Sequence, residues 1–384
     1  MASRGGVLVF FMGATMTAAI FRMTQDLNAL PMTYMEDAEM PVQCDTANRR
    51  VPLQAPDFGP YKPAPVEKYV LEHAAELKFD VAPPEWTPTC QVYTDPQSTP
   101  YHAQLQDFIE ELDSYYKLVN DFDTPIKDLR RNITEYDNSI CDLLELYPGG
   151  MPAIFNKSQQ LSHSSSGWLE PLIPPMRHPR FCFNKDFHKR PKHLIRTDYL
   201  LHDFQALCKK LKPTSRTVFV DMGASLVFHK GSQSPVLDLI QLFGKFGFNF
   251  DHVYAYEYKK HDPENVFKSV PDYLDASYHW INMGVTSDTN SRQNPFKLLQ
   301  DYFEPDDLII VKLDIDTPKL ERQLAQQLLD NPQLGKLIDH FYFEHHVNQE
   351  ELAGTWGRGK ETVADSMNLF QEFRKRGIPA HFWV

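Results

Sequence analysis

The chain has few cysteines, no long cationic run and no apolar stretch long enough to cross a bilayer comfortably, and each shortage removes a class of protein. Its five cysteines, Cys44, Cys90, Cys141, Cys182 and Cys208, include no C-x-x-C pair, so neither a zinc ribbon nor a thioredoxin motif is present. Their odd number leaves at least one thiol unpaired within a monomer. A net charge of -12 with a pI near 5.7 offers no general attraction to phosphate. Lys and Arg gather only briefly, as at Lys189-Arg190-Pro191-Lys192, and nucleic acid is not an expected partner.

What is present starts at the N-terminus. Residues 6–21 (GVLVFFMGATMTAAIF) are uncharged between Arg4 and Arg22, yet shorter than the ~20 apolar residues that span a bilayer. The run predicts a targeting segment over 1–30, either a short signal anchor or the core of a cleaved signal peptide with Thr17 and Ala19 near the cut. A buried soluble helix is the bland alternative. Contact with a membrane through this segment is expected, and a secretory-pathway or Golgi location of type II orientation. Secretion or organelle targeting after cleavage is the alternative. The triplets Asn132-Ile133-Thr134 and Asn156-Lys157-Ser158 are glycosylation acceptors if the chain enters the secretory lumen.

At 384 residues the chain exceeds a single domain of about 100–200 residues, and 42 % apolar content supports a true core. Residues 31–100 are rich in proline and carry little periodicity, as expected of a stem or of an arm wrapped on a domain with Tyr61, Tyr69 and Trp86 as anchors. Residues 101–195 predict a helical hairpin and a loop. The first helix carries Leu105, Phe108, Ile109, Leu112, Tyr116 and Val119 at helical spacing. The second opens with Thr124 and Pro125 and stops at Tyr147-Pro148-Gly149-Gly150. This hairpin either packs on the following domain or joins two copies as a homodimer. The Ser- and Pro-rich residues 159–179 read as an irregular lid or arm over the active face.

From 196 to 384 apolar runs alternate with helical patterns. Strands are expected at 217–220, 253–256, 279–283, 308–313 and 340–343, with helices at 235–246, 319–329 and 363–375. Continuous apolar strands separated by helices imply an α/β fold, a doubly wound, mostly parallel sheet covered on both faces. Ligands of such sheets bind beyond the carboxyl ends of the strands, near the reversal of strand order. There the sequence is polar. Asp221-Met222-Gly223 follows the first strand, where glycine lets backbone come close to a ligand, and Glu257 follows the second, placed to accept hydrogen bonds from a ribose diol. No G-x-G-x-x-G follows the first strand, which separates the pattern from NAD-binding proteins.

FVDMGAS, VYAYE, WINMGVTSD and LIIVKLDID together resemble the motif series of class I S-adenosylmethionine-dependent methyltransferases, and most of all the FkbM-type family, over about 196–384. The resemblance implies a Rossmann-like methyltransferase domain with S-adenosylmethionine as cofactor. It implies that Asp221 and Gly223 hold the methionine part, Glu257 the ribose, and Asn282 with Asp288 the adenine side. It would bring Asp314 to the methyl-transfer face. Where the family usually carries another glycine, this chain has Ser225-Leu226-Val227-Phe228, with Gly231 the nearest candidate. An insertion over 228–235 would account for that and for the long interval between Asp221 and Glu257.

Asp314, Asp316, Glu344, His345 and His346 converge if the fourth and fifth strands are neighbours, although alternation keeps them from all sharing one site. Asp314 or His345 is the expected general base for an acceptor hydroxyl. Asp314 or Asp316 with one histidine could hold a divalent metal, but adjacent histidines are more often structural, and no metal is assigned. The expected activity is methyl transfer to oxygen on a sugar, glycan or other hydroxylated small molecule. Its rivals are a non-catalytic scaffold of the same fold and a type II glycosyltransferase using Asp314-Ile315-Asp316 as its metal motif.

Overall fold

The computed structural model describes residues 59–121, 150–183, 194–212, 214–226, 234–357 and 359–384. The expected targeting segment, the start of the proline-rich segment, the second helix of the hairpin and the 228–233 part of the expected insertion lie outside them. The strands are β1 (Ser162–Ser164), β2 (Gly167–Leu169), β3 (Thr217–Met222), β4 (His252–Tyr256), β5 (Tyr278–Ile281), β6 (Leu308–Leu313), β7 (His340–Phe343) and β8 (Ala380–Phe382). The longer helices are α1 (Pro65–Glu72), α2 (His102–Asp121), α3 (Phe204–Lys210), α4 (Pro235–Lys245), α5 (Pro295–Tyr302), α6 (Pro318–Asp330) and α7 (Val363–Lys375).

Six strands form one sheet in the order β5-β4-β3-β6-β7-β8, and every neighbouring pair is parallel. This is the Rossmann strand order, with its reversal between β3 and β6. Those two central strands are buried at every position, which is why their sequences are almost unbroken apolar runs. Alternation divides them between two cores. Val218, Val220, Ile309 and Val311 face α1, α5, α6 and α7. Phe219 and Ile310 face α3 and α4.

The helices start where local chemistry favours a start. Ser234 and Asn294 accept backbone N–H groups at the openings of α4 and α5, each followed by proline, and Thr362 forms a capping box with Asp365 at α7. The first hairpin helix is α2, whose Leu105 and Ile109 enter one core and whose Phe108, Leu112 and Tyr115 enter the other.

Some elements differ from expectation. Residues 159–179 contain the antiparallel pair β1–β2, registered Ser162 to Leu169, and are packed through Leu172, Ile173 and Met176. β8 was not anticipated. Strands of three residues are too short for period-two alternation to register in sequence. β5 ends at Ile281 rather than 283, because the Met283 N–H turns back to the Ile281 carbonyl.

Within 59–100, Ala64, Val66, Val70, Phe79 and Val92 are buried in the same core as the central strands. A disulfide between Cys90 and Cys182 closes a separation of 92 residues and fastens this arm to the segment ahead of the sheet. Arg374 of α7, fully buried, ties the same parts together. Its guanidinium donates to the Ala380 carbonyl at 2.9 Å, the Glu170 carboxylate at 3.0 Å and Glu67 at 3.4 Å. Among the described residues no helix is long and apolar enough to cross a membrane.

Replacing Arg374 by Met leaves two buried carboxylates without their cation, so urea unfolding should show a loss of about 3–5 kcal/mol. An unchanged midpoint would mean that the arm is not held through this cluster.

Candidate functional site

The two central strands end in charge. Lys312, the one polar residue of β6, is 1 % exposed, with Nζ 3.0 Å from Asp221 Oδ1, 3.3 Å from Asp314 Oδ2 and donating to the Gly223 carbonyl at 2.9 Å. Burial alone would depress its pKa, but the two aspartates hold it above the ordinary lysine value. A buried ammonium persists only when paired in this way.

Gly223 follows β3 with φ +92°, and a Cβ there would stand 1.6 Å from the Asp314 carbonyl oxygen. Glycine is therefore required by the close approach of the β6 end as well as by the turn. The Gly223 and Ala224 N–H groups both donate to the Tyr256 carbonyl, and Asp314 N–H donates to Met222. These bonds lock three strand ends together.

Beside this knot opens a cleft of about 710 Å³, within the range of small-molecule sites. Its wall comes from the carboxyl ends of four adjacent strands: Gly223 and Leu226 after β3, Glu257, Tyr258 and Lys259 after β4, Gly284 and Val285 after β5, and Asp314, Ile315 and Asp316 after β6. Gly223, Glu257 and Asp314, all expected site residues, meet here.

The other expected residues have different surroundings. Asp221 is 1 % exposed and is not part of the cleft wall; it holds Lys312. Asn282 donates to the carbonyls of Glu257 and Lys259 at 2.9 and 2.7 Å and accepts from His261 N–H at 3.0 Å, so its amide shapes the loop that carries Glu257. Asp288 is exposed and accepts from Asn290 N–H in a turn away from the cleft wall. His345 also faces elsewhere, with one ring nitrogen 3.0 Å from Ser366 Oγ and the other 2.5 Å from Glu361. Alternation beyond β7 sends it opposite to Glu344 and His346.

Glu344 and His346 join Asp314 instead. Glu344 accepts from Arg177 at 2.6 Å, Trp356 Nε1 at 2.8 Å and His346 at 3.0 Å. Burial opposes its ionisation, but the hydrogen bond from His346 and the charge of Arg177 outweigh burial and hold it below the usual range. Burial raises Asp314 from 3.8 to about 8, against the pull of Lys312 and with Glu344 adding to the rise. Glu321, whose carboxylate accepts Ile315 N–H at 2.8 Å, is pushed by burial to about 7. Burial and the charge of Glu344 thus oppose ionisation of Asp314, while Glu344 itself is held in its ionised form.

Asp316, Glu344 and His346 bring one ligand atom each within 4.8 Å of the others, and Asp316 reaches this place through φ +54°. Carboxylate and imidazole would suit a divalent metal. Glu344 also accepts from Arg177 and Trp356 on Oε1, while its Oε2 meets His346 of the same group.

Sequence reasoning missed Arg177, Lys312 and Glu321. A lone lysine inside LIIVKL was the available signal, since a charge in a strand buried on both faces demands partners.

Gly223→Ala should cost at least ~2 kcal/mol in urea unfolding, because positive φ and a backbone clash act together. Gly284→Ala meets only the ring of Tyr258, 86 % exposed and able to swing aside, and should change little. Equal effects would contradict the assigned packing. A carboxyl whose folded pKa is raised stabilises the fold fully below its unfolded value, and that stability is lost as pH rises through the folded value. The Asp314 contribution therefore falls between about pH 4 and about pH 8, so the thermal midpoint of wild type relative to Asp314→Asn should drop across that window. A difference between the two that does not change with pH would count against the raised carboxyl. No protein-family model matches the chain, and neither the curated proteins nor the solved structures include a match.

Proposed function

We propose that the cleft binds S-adenosylmethionine and that the protein transfers its methyl group to an oxygen of a small hydroxylated molecule or glycan. The observation that carries this reading is the meeting, in one cavity at the strand-order reversal, of a glycine turn, an acid after the second strand and a half-buried acid after the fourth. The FVDMGAS, VYAYE and LIIVKLDID segments supply those three features. The residues fit the cofactor. Gly223 lines the cleft, and the close approach of the Asp314 carbonyl excludes a side chain there.

When bound, the cofactor supplies an electrophilic methyl on sulfur. Glu257 is placed for the ribose diol, since a carboxylate accepts both hydroxyls, and Asn282 fixes the loop that presents it. Tyr258 gives the same loop an aromatic face at the cleft edge. Asp314, once ionised, would serve as the base for the acceptor's hydroxyl proton, and the cleft walls would hold the acceptor close to the cofactor, which supplies much of the rate in such transfers. The disulfide and the exposed Asn156 support maturation in an oxidising, secretory compartment.

Isothermal titration of the full chain should show micromolar affinity for S-adenosylmethionine and S-adenosylhomocysteine. Glu257→Ala removes charge-assisted hydrogen bonds and should weaken both about 10- to 100-fold. A folded protein that releases no heat with either ligand would favour the non-catalytic scaffold.

A further inference from the structure

Away from the cleft, on the α3–α4 side of the sheet, three histidines converge in the core. His202 precedes α3, His340 opens β7 and His381 lies in β8; they are exposed by 2 %, 2 % and 0 %. Their ring centroids are 5.1, 5.5 and 5.0 Å apart, and one nitrogen from each lies within 4.8 Å of the others. We propose that His202, His340 and His381 bind a zinc ion that staples the edge of the sheet.

Two observations support this assignment. First, two ring nitrogens, His202 Nδ1 and His340 Nε2, are buried without a hydrogen-bond partner. A buried ring nitrogen left without a hydrogen-bond partner is a place where a cation can be held. Second, the cluster has its own outer support. The Glu170 carboxylate lies 2.8 Å from His381 Nδ1, which fixes the tautomer and leaves Nε2 to face His340 Nδ1 at 2.8 Å. A carboxylate behind a histidine is the usual backing of a zinc ligand.

Zinc with nitrogens at about 2.0–2.1 Å in a tetrahedron needs them roughly 3.4 Å apart, so binding would draw the three rings in from their spacing of up to 4.8 Å and replace the His340–His381 hydrogen bond. Imidazole donors favour zinc, copper, iron or nickel over calcium or magnesium, and a closed, fully buried site is structural. The ion would join β8, a three-residue edge strand, to the segment that enters α3.

The test is elemental analysis of the full chain after dialysis into metal-free buffer, repeated after cobalt exchange. The expected result is one zinc per chain, a visible cobalt spectrum of tetrahedral type, and loss of both in His202→Gln while His279→Gln keeps them. If His202→Gln does not fold, the wild-type stoichiometry and cobalt spectrum decide. A folded wild-type chain with less than a tenth of an equivalent of zinc and no uptake from added zinc would overturn the proposal. So would metal retained in a folded His202→Gln protein but lost in Asp316→Asn.

Discussion

A single buried lysine governs the centre of this protein. Lys312 rises from β6 into a space with almost no water, and the only way to keep its charge there is to surround it with Asp221, Asp314 and the Gly223 carbonyl. These partners come from the ends of β3 and β6, the two strands between which the sheet reverses its order. Satisfying the lysine therefore draws the two ends together and forces a glycine where β3 turns. The cleft opens where the drawn-in ends leave room.

The same economy of paired charge recurs outward. Arg177 reaches Glu344 beyond β7, and Arg374 joins Glu67 of α1 to Glu170 beside β2. Each cation comes from one part of the chain and its acid from another distant in sequence. Breaking such a pair costs far more than its net contribution, because the remaining charge cannot reach water. Together with the Cys90–Cys182 bridge, these pairs make the described arm part of the domain's own core.

How legible the molecule was depends on the length and phase of each signal. β3, β4, β6, β7 and α7 are long or apolar enough for sequence to place them within a residue or two. β1, β2 and β8 span three residues each and leave no periodicity. Gly223, Glu257 and Asp314 line the cleft because each follows a strand end of the parallel sheet, a position that sequence can locate. The phase beyond a strand end could not be found: Glu344-His345-His346 reads the same whichever side His345 takes, and backbone geometry put His346 with Glu344. Asn282 is a second case, since its amide is spent on the neighbouring loop. Arg177 was hidden by distance, 167 residues from its partner.

The claim that the cleft at the strand-order reversal is the cofactor site is tested most directly by hydrogen exchange, with and without S-adenosylhomocysteine, read by peptide. The account predicts added protection over 222–226, 256–261, 283–285 and 314–320, with the helices α2 and α3 unchanged. Protection confined to other segments, or none at a ligand concentration that saturates binding, would contradict it.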